Sequence, residues 1–209
     1  MPSSRHFLYE HRIKGIPKAN WRNIREAVDK LHALVEPMSG SSGSSAQIAV
    51  GSDESALYLT LGDEKREIRR IWQKKEYDAP KLPGTMEVDA LSDLFIRSVY
   101  LVLAVYAPTG TRLELRSTGC LDGWVEARDL FEHATGKAVD IDLMAADEKL
   151  CKGFGSPLLA TGDTHLAGLA AKVTGVPAAA DIGEPDQAAI DSAPASVFNI
   201  PFVSHSWFF

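Results

Sequence analysis

The chain has 209 residues, 45% of them hydrophobic and 24% charged, and carries a formal net charge of −6. That balance excludes wholesale disorder and supplies enough apolar side chains for a core that needs neither disulfide nor metal. The longest apolar run, Val99–Ala107, is too short to cross a bilayer, and the start of the chain lacks the apolar region of a secretory signal, so a cytoplasmic, non-membrane protein is expected.

His6–Ile13 alternates enough to read as a strand. Asn20 then has the chemistry of a helix N-cap, and Trp21, Ile24, Val28, Leu31 and Val35 follow at one-face helical spacing until Pro37 closes the segment. Ser39–Ser45 (SGSSGSS) is a flexible loop by composition, native or engineered. Gln47–Val50 and Ala56–Leu61 read as strands, and Gly62-Asp63 is a turn signal that favours a hairpin into the next segment.

That segment, Lys65–Lys75, concentrates Lys65, Arg66, Arg69, Arg70, Lys74 and Lys75 around one acid, Glu67, with Trp72 in the middle. As a strand it sets Arg66, Ile68, Arg70, Trp72 and Lys74 on one side; as a helix it stacks Ile68, Ile71 and Trp72. A dense basic strip on an acidic protein is a local field suited to an anionic partner.

Asp78–Thr85 reads as a connector. Val88–Tyr106 is the strongest helix signal, apolar nearly all round and therefore expected at the centre of the core. Arg112–Arg116 reads as a short strand, Asp122–Thr135 as a helix ended by Gly136, and Lys137–Leu143 as a strand. A fourth helix, capped by Asp163 and ended by Gly175, closes on the same Thr-Gly pair (Thr174-Gly175) as the helix Asp122–Thr135 does (Thr135-Gly136). Together these elements predict an α+β fold: a mixed, partly antiparallel sheet packed against about four helices, with the helix 88–106 buried among them. Residues 1–151 are read as the core domain, and 152–209 as a segment packed on it or a small appendage.

Candidate chemistry is sparse. On a strand, Asp140 and Asp142 would project to one side and hold a divalent cation for nucleotidyl or phosphoryl transfer, although the Gly-Ser dipeptide expected at the preceding helix start is missing. Cys120 precedes a helix start but has no base in reach, and with Cys151 it forms no ligand spacing, which points to buried thiols in a reducing compartment. Gly153–Gly155 and Thr161–His165 lack a phosphate-loop lysine. At the other end of the sequence Trp207, Phe208 and Phe209 carry a large apolar payload, suited to the core or to an interface.

The reading is therefore a non-catalytic interaction protein, of the bacterial immunity, inhibitor or assembly-subunit type. It requires no cofactor and binds a protein partner through Lys65, Arg66, Arg69, Arg70, Trp72, Lys74, Lys75 and the aromatic cluster. A metal-dependent transferase built on Asp140 and Asp142, and a nucleic-acid-binding subunit using Lys65–Lys75, are the alternatives.

Overall fold

In a computed structural model the described residues are 5–13, 15–39, 47–71, 85–108, 111, 113–117, 121–141 and 168–176. The chain divides into two compact units, Met1–Ala178 and Ala179–Phe209, and all the described residues belong to the first.

Two three-stranded sheets, antiparallel at every described pairing, accompany the helices, so the α+β class holds. The first has the order β5-β1-β6. Strand β1 (Arg5–Ile13) pairs through Arg5–Leu8 with β5 (Thr85–Val88) and through Tyr9–Ile13 with β6 (Leu113–Ser117). β5 begins at Thr85, where the expected connector ends, and closes at Val88, the expected first residue of the following helix. The second sheet is a meander of β2 (Ile48–Ser52), β3 (Ala56–Leu61) and β4 (Glu64–Arg69). Leu61 faces Glu64 across a two-residue loop, and Gly62 there has φ of 64°, the left-handed conformation that tight hairpins require at their first loop position. Lys65–Arg69 of the basic segment thus form a hairpin strand.

Helix α1 (Lys18–Val35) buries the expected stripe Trp21, Ile24, Val28, Leu31 and Val35, with Ala27 beside it. It starts two residues before Asn20: Pro17 stands at the cap position, and the Asn20 side chain instead donates from Nδ2 to the Tyr106 carbonyl at 3.0 Å. A fixed proline φ suits the entry to a helix, so no capping side chain is needed to start one here. A 3₁₀ turn, Glu36–Met38, follows, and Ser39 Oγ accepts from Ile48 N at 2.9 Å.

Helix α2 (Ala90–Tyr106) begins when Asp89 Oδ1 accepts from Ser92 N at 2.8 Å, an N-cap that sets the first helical residue two positions later than the sequence reading of 88. Every residue from Leu91 to Ala104 is buried, and α2 packs against α1, against α3 (Leu121–Thr135) and against both outer strands of the first sheet. Burial of that kind contributes roughly 1.5–3 kcal/mol per large apolar side chain. The same cluster includes Leu57, Leu59, Leu61 and Ile68 from the second sheet.

Helix α4 (Leu169–Thr174) is shorter than the sequence implied and leaves Asp163 outside the described residues. Its N-terminal amides are met by a distant side chain: the Glu126 carboxylate of α3 accepts from Gly168 N at 2.7 Å and Ala170 N at 2.8 Å. The two Thr-Gly phrases form one motif. Thr135 Oγ1 donates to Phe131 O and accepts from Lys137 N; Thr174 Oγ1 donates to Ala170 O and accepts from Val176 N. Gly136 and Gly175 come next at φ of 67° and 68°. The strand expected after Gly136 is absent from the described part of that segment. Lys137–Asp140 has no regular structure, because Val139 N is taken by Glu132 Oε1 at 2.8 Å and Ile141 turns into the core.

Candidate functional site

Three side-chain bonds clip α1 alongside β2, in opposite directions. The Trp21 indole donates to Asp53 O at 3.0 Å, Arg25 Nε to Ser52 Oγ at 3.1 Å, and the His32 ring lies 3.1 Å from Ile48 O. The first turns of α1 therefore lie against the β2–β3 turn, Asp53–Ser55. That turn is held by the Asp53 carboxylate, whose Oδ1 accepts from Ser55 N at 2.6 Å, Ser55 Oγ at 2.7 Å and Ala56 N at 2.8 Å. The Ser55 hydroxyl foremost, then the two amides, bring its pKa from 3.8 down to about 2. Tyr58 donates its hydroxyl to Asp53 Oδ2, and its own pKa is raised by that bond.

The far end of β4 reaches the same turn. Arg70 donates from Nε to Glu54 O at 3.1 Å and from Nη1 to Ile16 O at 2.8 Å, while Arg70 O accepts from Ile16 N. Two segments far apart in sequence thus meet at the Asp53–Ser55 turn: Lys18, Arg22 and Arg25 from α1 share a groove with Glu54, and Arg69, the last residue of β4, and Arg70 share one with Ser55. On the α1 side an open groove of about 340 Å³ is lined by Lys18, Ala19, Trp21, Arg22, Arg25 and Glu54. A smaller one of about 220 Å³, lined by Ser55, Glu67, Arg69, Arg70 and Ile71, lies on the β4 side.

The basic strip is less uniform than its sequence. Strand alternation sends Lys65, Glu67 and Arg69 to the exposed face, while Arg66 is half-buried beside the core residue Ile68. Arg69 forms a fork with Glu67 at 3.0 and 3.2 Å. Trp72, Lys74 and Lys75 lie outside the described residues, as do Trp207, Phe208, Phe209, Cys120, Cys151 and Asp142. Asp140 is exposed in the irregular stretch after α3, and its placement relative to Asp142 lies outside the described residues. Among the described residues no three His, Cys, Asp or Glu side chains group closely enough to hold a metal ion, and no helix is long and apolar enough to cross a membrane.

Sequence reading missed the α1 half of this corner. The signal was present: Lys18, Arg22 and Arg25 stand at i, i+4 and i+7, a cationic stripe on a helix whose apolar stripe is the louder pattern. Their meeting with Arg70 depends on long-range packing that no local pattern encodes.

No protein-family model, curated protein or solved structure matches this chain.

Proposed function

We propose that this protein is a non-catalytic interaction component that engages an acidic protein partner through the cationic corner at Glu54, with Trp207, Phe208 and Phe209 as a second, apolar contact. The observation that carries the reading is the convergence of five cations, Lys18, Arg22, Arg25, Arg69 and Arg70, on one turn of a molecule whose net charge is −6. Segregated charge of this sort accelerates encounter with a complementary surface and rejects partners of like charge.

A protein partner fits better than a nucleic acid. A phosphate backbone presents charge at every step and calls for a continuous cationic track. Here Glu54 and Glu67 interrupt the cations, and the strip divides between two faces of β4. Mixed signs suit a partner with discrete carboxylates and an occasional base.

The test is capture from a lysate of the source cell by the tagged full chain and by the triple variant Lys18→Glu, Arg22→Glu, Arg69→Glu. These are exposed positions, so stability should stay within about 1 kcal/mol. A partner retained by the first and lost by the second is the expected result. The same proteins bound to both would contradict the proposal.

A further inference from the structure

We infer that the groove beside α1 is a site for a phosphate monoester, and that the group it takes is a phosphorylated serine or threonine of the partner; this rests on the interaction reading above. Its three cations stand on successive turns of one helix face and approach the cavity from different heights. One acid lines the groove with them and pairs with Lys18: Nζ lies 3.1 Å from Glu54 Oε2, with both side chains largely in solvent at 75% and 81% exposure. A pair so exposed is worth little and is readily exchanged for a stronger anion.

The Arg25 guanidinium is aimed rather than spent, since Nε is fixed on Ser52 Oγ at 3.1 Å. Arg22 is exposed and lines the same groove. The lining therefore carries three positive charges and one negative, a balance of +2, on a protein of net charge −6.

A phosphate monoester bears about −1.5 to −2 at neutral pH and offers three oxygens. Its tetrahedral oxygens can be shared among three donors arriving from different turns, whereas one planar carboxylate is satisfied by a single arginine fork. Both the charge and the number of donors match the phosphorylated side chain. Trp21 lines the groove but is only 2% exposed, too little to offer a stacking face, which argues against a nucleobase attached to that phosphate.

Calorimetry on the full chain at constant ionic strength tests this with three probes: the peptide acetyl-Ala-Ala-phosphoserine-Ala-Ala-amide, its unphosphorylated counterpart, and inorganic phosphate. The phosphopeptide should bind, the unphosphorylated peptide should not, and inorganic phosphate should bind more weakly than the phosphopeptide. Arg22→Ala, and separately Arg25→Lys, should each weaken the phosphopeptide at least tenfold. Silence with all probes, unchanged affinity in Arg22→Ala, or equal binding of both peptides would overturn the site. Inorganic phosphate binding as tightly as the phosphopeptide would overturn the peptide source in favour of a free phosphate-bearing molecule. A lysate partner that stays bound after phosphatase treatment would remove this inference while leaving the interaction reading intact.

Discussion

Arg97 and Asp93 lie one turn apart on α2 with their side chains fully buried, joined by Nε–Oδ1 at 2.6 Å and Nη2–Oδ2 at 3.2 Å. Arginine cannot shed its proton to enter a core, so it must bring its counter-charge along. The Trp124 ring, 5.4 Å from the guanidinium carbon, adds a polarisable face. In the sequence these two charges look like the polar flank of an apolar run; nothing local says that the rest of the molecule closes over them. Asp93→Ala should lower the unfolding free energy by about 3–5 kcal/mol in urea titration, because it strands a buried cation. The pair Asp93→Leu, Arg97→Met should recover most of that loss. A single variant as stable as the parent would show the pair to be solvated.

At the scale of elements, apolar periodicity was a sound guide and polar detail a poor one. The stripe from Trp21 to Val35, the Gly62-Asp63 hairpin and the Gly136 stop were all legible, since each is fixed by its own few residues. Over Lys137–Ile141, the described part of the expected strand, no strand forms, because alternation of Val139, Asp140 and Ile141 is also produced by a chain that turns once into the core. The Asp53 turn was not anticipated, although Asp with Ser two residues later is a recognised side-chain turn pattern. It yields a pH prediction. The carboxyl falls from 3.8 to about 2 in the folded chain, so its stabilisation is complete above the unfolded value and disappears as pH falls through the folded one. Carbon-detected titration of Asp53 should give a midpoint near 2, and Ser55→Ala should move it up toward 3.8. A parent midpoint already at 3.8 would mean that the turn does not hold the carboxylate in solution.

Across the whole molecule, the α+β class was legible and the candidate surface only half so. Arg69 and Arg70 stood out as part of a dense run, whereas Lys18, Arg22 and Arg25 join them only because α1 is clipped along β2 and β4 ends beside Ile16. This corner also conflicts with the rules of stability. A helix favours acids in its first turn; α1 has none there and starts instead with Lys18. Local rules broken in one place are the usual mark of a surface shaped for something other than folding.

Ala19, exposed in that first turn and lining the groove, separates the two demands in a single substitution. Ala19→Glu supplies the missing acid and places a carboxylate among the groove cations, so stability and binding should move in opposite directions. Helix-dipole complementarity of about 0.3–1 kcal/mol corresponds to a melting temperature higher by roughly 1–4 °C, while affinity for the phosphoserine peptide should fall at least tenfold. A variant that binds the peptide as tightly as the parent would contradict the claim that the groove beside α1 is where a phosphorylated partner docks.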